Sequence, residues 1–460
     1  MNPFAEIFGK QLAYFNTDVT KSYEWRIDQL DRMARMLSEN EKSFQEAIGK
    51  DFKTSFAEQL FETSGTLGSI QNTKAQLRSW MEPVEITPIP KFLAENGYKG
   101  MVYREPFGVI LVIGPSNGPL LLSLRPVINA IAAGNPVILK TSESLPYSGR
   151  LLLDLIPKYF EDSSFTVIPG GRQEITDLLQ LPFSYIFFTG SSKVGKVVMK
   201  AAAENLTPVL LELGGQNPVI VDETADVKDA AKKVAWGATA WGGQWCTSPG
   251  YVCVHESIAE EFIAEAKQAL IDMYGTEPRN SPDLSRIVTT NAVSRLAELV
   301  DPDKVVAGGD YDVESRYFAP TIVYPVSWDD KIMEDEVFGP VLPVIVYSDI
   351  IEVVKKIKSM PKPLSAYIFS TNEKQIASLL NSISFGGGCV NEVNIYLYIE
   401  TLPFGGVGAS GIGSYYGKWG FDTLTHPKSV LMSPADKEIS HLIPPYDQQK
   451  IEGLGNWLYY

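Results

Sequence analysis

Apolar residues recur at helical spacing among many charges over residues 17–51 and again over 56–81, which predicts long amphipathic helices. The proline-rich stretch 83–100 then breaks the periodicity and reads as a crossing or a small projecting hairpin. Beyond it the texture changes to short apolar runs, at 109–113, 137–139, 165–168, 185–188 and 209–211, separated by helical stretches such as 120–133, 149–159 and 194–205. Short apolar strands alternating with helices predict a parallel sheet covered on both faces. A second run of the same texture opens at 218–221 and continues with a helix over 227–240, a strand over 251–255 and a helix over 258–274. It predicts a second α/β domain after Gly214-Gly215, closely docked because no low-complexity linker intervenes. Glycine crowds residues 401–414. The long uncharged stretch 106–124 does not read as a membrane span, since Gly114-Pro115-Ser116-Asn117-Gly118-Pro119 would leave unpaired backbone groups in lipid.

Composition narrows the partners. The 460 residues are 45% hydrophobic and 21% charged, enough for roughly two to four globular domains of about 100–200 residues each. With 40 basic and 55 acidic side chains the formal charge is −15, and no basic stripe appears, so nucleic acid is not an expected partner. No transmembrane segment is expected, and residues 1–10 lack the basic start and apolar run of a signal peptide. Three cysteines without a CxxC pair suit a reduced, cytoplasmic protein. His255, His426 and His441 lack metal-ligand spacing, so no metal is expected and the chemistry falls to carboxylates and thiols. Apart from the acids singled out below, the negative charge reads as a solvated surface.

Several residues stand where chemistry is possible. Gly190-Ser191-Ser192-Lys193-Val194-Gly195 follows a strand and opens a helix, bringing backbone N–H groups and a helix dipole towards a phosphate. It lacks the middle glycine of the dinucleotide fingerprint, and alone reads equally well as a tight turn. Lys140 and Glu143 follow the strand 137–139, where ligands of open α/β sheets bind; a Lys there suits phosphate or ribose and a Glu suits ribose hydroxyls. Glu212 closes the strand 209–211 beside Leu213-Gly214-Gly215, and partial burial would make it a base. Cys246 follows a Gly-Gly turn amid polar residues, unlike Cys253 in a strand and Cys389 after a glycine run. A free thiol is only a few per cent thiolate at neutral pH, so it needs a base or a positive field; Glu212, through a water, is the candidate base. Asn117 offers an amide to an oxyanion, or simply forms a turn. Glu336-Val337-Phe338-Gly339-Pro340 offers a carboxylate and an aromatic face to a nucleotide.

Taken together and in this order, these motifs resemble the NAD(P)-dependent aldehyde dehydrogenase superfamily. Leu211-Glu212-Leu213-Gly214-Gly215 is similar to its glutamate signature, and Gly243-Gln244 to Cys246 to its cysteine signature. Phe187-Phe188-Thr189-Gly190, Pro403-Phe404-Gly405-Gly406 and Ser410-Gly411 match further, and Tyr415-Tyr416-Gly417-Lys418 with Phe421-Asp422-Thr423 is most similar to the class 3 or fatty-aldehyde branch. The resemblance covers the chain roughly to Val430. It implies an α/β fold with a Rossmann-like parallel-sheet cofactor domain (1–81 and 103–212) and a second α/β catalytic domain (213–393). A bridging element (82–102 and 394–430) and a tail (431–460) complete the expected division.

The implied reaction has Cys246 attacking an aldehyde, Asn117 and the Cys246 N–H holding the oxyanion, and Glu212 activating water against a thioester. Lys140 and Glu143 would hold the adenosine ribose and Gly190, Ser191 and Gly195 the pyrophosphate region. Leu213 would be a further cofactor contact, and Glu336 and Phe338 would hold the nicotinamide ribose and ring. Glu143 tilts the expected cofactor to NAD, with NADP still open, and the branch implies a homodimer. Ser116, Gly118, Trp241, Trp245 and Thr247 would line the substrate channel. Ser116 stands where the family commonly has Trp, Gly118 where it has an aromatic, and Trp245 where a small residue precedes the nucleophile. Gln216 replaces a frequent Lys and Tyr416 a His. Two lost rings predict a wider passage, partly refilled by Trp245, and a bulky, aromatic or long-chain aldehyde. Three alternatives remain at this point: an acylating relative using a thiol acceptor, a non-catalytic binding protein, and a non-redox thiol esterase.

Overall fold

A computed structural model describes residues 2–439 and 442–457. His441, Tyr459 and Tyr460 lie outside the described residues, as does part of the expected tail. The N-terminal periodicity forms four helices: α1 (Ala5–Phe15), α2 (Tyr23–Glu39), α3 (Glu41–Asp51) and α4 (Phe56–Met81). The stretch expected to be helical over 17–51 is two helices because Asn40, with φ −121°, ends α2. Ser22 starts α2 by accepting the Trp25 N–H. The proline-rich stretch holds β1 (Val84–Ile86), the short α5 (Lys91–Glu95) and β2 (Lys99–Pro106), with β1 and β2 antiparallel.

Alternation then sets in: β3 (Ile110–Ile113), α6 (Leu121–Ala132), β4 (Val137–Lys140), α7 (Pro146–Tyr159), β5 (Phe165–Ile168), α8 (Arg172–Leu178), β6 (Tyr185–Gly190), α9 (Ser192–Ala203) and β7 (Val209–Leu213). The second unit runs β8 (Asn217–Val221), α10 (Val227–Thr239), β9 (Pro249–His255), α11 (Ala259–Tyr274) and α12 (Thr290–Leu299). Short strands β10 (Val305–Ala307), β11 (Tyr311–Asp312), β12 (Tyr317–Phe318) and β13 (Thr321–Val323) follow. The unit closes with β14 (Val341–Tyr347), α13 (Ile350–Ser359), β15 (Ser365–Phe369), α14 (Glu373–Ser382) and β16 (Gly387–Val390). The chain finishes with β17 (Gly411–Ile412), α15 (Gly417–Thr423), β18 (Thr425–Met432) and α16 (Gln448–Trp457).

Two sheets carry the fold. The first has the order β17-β7-β6-β3-β4-β5, parallel throughout except for β17. Its order reverses between β3 and β6, and such a switch point opens a crevice at the carboxyl ends of the strands. The second sheet has the order β10-β13-β14-β9-β8-β15-β16, with only β10 antiparallel to its neighbour. Strands β3 and β4 are buried at every residue, as expected where helices cover both faces of a parallel sheet. A third, antiparallel sheet pairs β1, β2 and β18. The fold is thus the doubly covered parallel α/β architecture that the alternating pattern predicts. Among the described residues no helix is long and apolar enough to cross a membrane.

Candidate active site

The carboxyl ends of β3, β4, β6 and β7 open on a cleft of about 290 Å³. Ser116, Asn117, Lys140, Glu143, Gly190 and Ser191 line it from the first sheet, with Glu212 and Cys246 at its inner end. Glu336 and Phe338 line it from the second unit. Residues far apart in sequence therefore meet in one crevice. Gly195 and Leu213 do not line it; they pack against each other where α9 rests on β7.

The nucleophile candidate sits on an unusual loop. Trp241, Gly242 and Gly243 are all left-handed, with φ of 56°, 63° and 68°. The Gln244 side chain ties this bend down, donating to the Trp241 and Arg286 carbonyls at 2.9 and 3.0 Å and accepting the Val288 N–H at 2.9 Å. Asn217 donates to the Cys246 carbonyl at 2.9 Å. Asn117 Nδ2 donates to the Gln244 carbonyl at 2.8 Å, which brings the Asn117 loop against the cysteine loop and leaves its second amide hydrogen free for a ligand.

Electrostatically the site is acidic. The Cys246 thiol is pushed well above its ordinary range by burial and by Glu212 and Glu336, and only its own backbone N–H favours the thiolate. Burial lifts Glu212 to about 7, and its hydrogen bond with the Cys246 thiol acts the other way. Base and thiol lie side by side in the same cleft. Glu212 Oε1 is buried with no partner. Glu336 is lifted to about 8, again by burial, against the opposing Gly215 N–H. Arg295 donates to the Glu336 carbonyl at 3.1 Å and anchors this loop.

The cleft fits a dinucleotide. Thr189 Oγ1 lies on its wall, buried and unpartnered. The N-terminus of α9 opens on it, where Ser191 accepts the Val194 N–H at 3.4 Å. Lys140 pairs with the exposed Glu143 at 2.9 Å, and that pair with a backbone bond holds the Glu143 carboxyl below its ordinary range against partial desolvation. Arg295 escaped the sequence reading, since an arginine on a helix carries no motif, and Thr189 stood within a matched motif without a role of its own.

A second, smaller pocket meets Cys246 from the other side. Phe61, Leu122, Arg125, Trp241, Trp245 and Thr247 are among its walls, and it encloses only about 30 Å³. The side chains around it leave little free space. A β-carbon at Gly118 would overlap Leu122, so that leucine occupies the space of the missing ring, and Gly118 lines neither pocket. Trp245 fills the remainder, its ring centroid 4.5 Å from Trp241 and 6.0 Å from Trp236. Ser116 faces the larger cleft instead. Among the described residues no group of three or more His, Cys, Asp or Glu is placed to hold a metal ion.

Comparison with known proteins agrees with this geometry. The chain matches the aldehyde dehydrogenase family over residues 15–430. It is 40% identical over 450 residues to 4,4'-diaponeurosporen-aldehyde dehydrogenase of Staphylococcus aureus, covering 97% of each chain. It is 37% identical to human aldehyde dehydrogenase family 3 member B1, covering 99% of this chain and 97% of that one. It is 39% identical to the rat dimeric NADP-preferring aldehyde dehydrogenase, covering 96% and 97%. A solved structure described as the substrate-bound state of Staphylococcus aureus AldH superposes with a TM-score of 0.97 at 39% identity, covering all of both chains. A cysteine, a raised carboxylate and a crevice at a sheet switch point thus occur within a nearly full-length match to NAD(P)-using enzymes with class 3 relatives, and the chain belongs to the aldehyde dehydrogenase family as an aldehyde-oxidising oxidoreductase.

Proposed function

We propose that the protein oxidises a long-chain, bulky or aromatic aldehyde to its carboxylic acid through a thioester on Cys246, with NAD preferred. The observation that carries this reading is the meeting of Cys246, Glu212 and Asn117 between a nucleotide cleft and an aromatic pocket. Glu212, beside the thiol and poised near neutrality, takes the Cys246 proton, directly or through a water, as sulfur bonds to the aldehyde carbon. The oxygen becomes an oxyanion, received by the free amide hydrogen of Asn117 and the Cys246 N–H. Lys140, Glu143, Gly190 and Ser191 hold the adenosine and pyrophosphate parts of the cofactor, and Glu336 and Phe338 the nicotinamide end. When bound, the nicotinamide ring supplies a positive charge and the hydride-accepting carbon that turn the thiohemiacetal into a thioester. Glu212, once it has released the first proton to solvent, removes a proton from water as the hydroxide adds to the thioester; the carbon–sulfur bond breaks, that proton passes to the Cys246 sulfur, and the acid leaves.

A buried carboxylate placed to activate water supports hydrolysis rather than acyl transfer to a thiol acceptor. Glu143 would repel a 2′-phosphate, which supports NAD. The apolar walls of the small pocket suit a flat or extended hydrocarbon admitted by side-chain movement. The proposal keeps the domain division at 212/213, a homodimer bridged through 82–102 and 394–430, and a cytoplasmic location. The exposed strand β1 at the edge of the third sheet and the three free thiols support these last two. The test is NAD(P)H formation with hexanal, decanal, substituted benzaldehydes and 4,4'-diaponeurosporen-aldehyde. Cys246→Ala is expected to lose about 10³-fold or more, and Glu212→Gln to slow the first-turnover burst and to lose steady turnover further. Activity surviving in Cys246→Ala refutes the nucleophile, and equal rates across the panel refute the substrate preference.

A further inference from the structure

Beneath the two loops that bear Cys246 and Asn117 lies an ionic cluster that plays no part in the steps above. Lys53 and Glu62 are fully buried and paired with each other. The Lys53 ammonium also sits 3.0 Å from the centroid of the Trp241 ring. Glu62 turns its second oxygen to the start of α6, accepting the Leu120 and Leu121 N–H groups at 3.0 and 2.8 Å. It thus satisfies the free donors at the positive end of α6, directly after the Asn117 loop. One turn earlier in α4, the half-buried Glu58 accepts the Trp241 N–H at 2.7 Å and the Ser285 hydroxyl at 2.6 Å. One helix therefore grips both loops. Burying such charges stabilises a fold less than apolar packing of the same shape would, so the arrangement asks for a reason other than stability.

We propose that Lys53, Glu58 and Glu62 are positioning residues that fix the left-handed Trp241–Gly243 bend against the start of α6, and so hold the Cys246 thiol and the Asn117 amide on one carbonyl group. This rests on the reading of Cys246 as nucleophile. A non-glycine residue at φ 56°, such as Trp241, persists only under restraint from outside its own backbone. Here the restraint is the Glu58 hydrogen bond below the peptide and the Lys53 cation against the ring. The loops meet at the Asn117–Gln244 hydrogen bond, so slack in either separates donor from nucleophile. None of the three side chains lines the cofactor cleft. Their loss should therefore act on turnover and spare cofactor affinity.

The test compares wild type, Cys246→Ala, the neutral double variant Lys53→Met/Glu62→Gln, and Glu58→Gln. The double variant keeps the shapes and leaves neither member of the ion pair charged alone. Expected for it are a folded protein, an NAD dissociation constant within about two-fold of wild type, kcat lower by about 10–100-fold, and iodoacetamide alkylation of Cys246 slowed in step. Glu58→Gln, which can keep one of its two hydrogen bonds, is expected to lose about 3–10-fold in kcat. A cluster that serves folding alone would instead lower the melting temperature and leave kcat per folded molecule and the alkylation rate unchanged; that result overturns the proposal. If the double variant does not fold, Glu58→Gln decides by the same two readings. Activity in Cys246→Ala would overturn the nucleophile itself, an outcome distinct from wild-type kcat in the cluster variants.

Discussion

Glu212 shows what a residue gives up to serve as a base. Its carboxyl is lifted by burial from an ordinary 4.5 to about 7. Between those values the unfolded chain releases a proton that the folded chain keeps, so stability falls as pH rises through that window and stays lowered above it. The loss amounts to about 3 kcal/mol at 1.36 kcal/mol per unit. Glu212→Gln carries no such penalty. We expect it to exceed wild type by about 2–3 kcal/mol at pH 8 and to match it near pH 4, read from denaturant melts across pH. Parallel pH curves for the two proteins would contradict a raised Glu212. The base form becomes available only as pH climbs past neutrality, so deacylation gains where the fold loses.

Among the elements, the bend before Cys246 is the least forgiving. Gly243 has φ 68°, and a β-carbon there would overlap the Gly339 carbonyl, which belongs to the backbone of the Glu336–Phe338 loop. Neither strain can be relieved by turning a side chain. Gly243→Ala is expected to destabilise by about 2–4 kcal/mol and to abolish turnover, checked by urea unfolding and NADH formation; near wild-type values in both would show that the two loops yield. The sequence disclosed this loop through its glycines, and it disclosed β3, β4 and β7 through short apolar runs that become strands buried throughout in β3 and β4 and at all but the first residue in β7. It disclosed Cys246, Glu212 and Asn117 because each sits where a strand or helix ends in a small-residue turn. The helix α4 was legible as a helix and illegible as a wall of the site. Charges in an amphipathic segment read as solvent-facing, yet Glu62, Thr63, Thr66 and Thr73 are buried, and Lys53 with them. The expectation that the remaining acids form a solvated surface therefore fails at Glu62, because burial depends on what packs over a position, and the partners here come from distant segments. For the same reason Gly195 read as a cofactor contact, whereas its small size serves the packing of α9 on Leu213.

At the scale of the whole molecule, the C-terminal part divides sharply. No described residue from 433 to 454 is buried, whereas Tyr415 and Phe421 are fully buried and β18 pairs with β2 over eight residues. Removing the chain from residue 433 is expected to leave melting temperature and hexanal turnover unchanged. Removing it from residue 411 is expected to leave no folded protein by circular dichroism. Loss of the fold in the shorter truncation would show that the tail carries contacts beyond the described residues.

The strand that makes this difference has a consequence in time. Gly411 pairs with Glu212, and the Leu213 N–H donates to the Ser410 carbonyl, so the edge beside the catalytic carboxylate is closed by a segment that follows Cys246 by a long stretch of chain. A ribosome adding about 5–20 residues per second needs on the order of 10–30 s to travel from the cysteine to that strand. Through that interval a nascent chain holds its thiol without a finished base beside it, and a chain abandoned early never acquires one. Reactivity towards aldehydes is thereby deferred until the strand that carries Gly411 has been made.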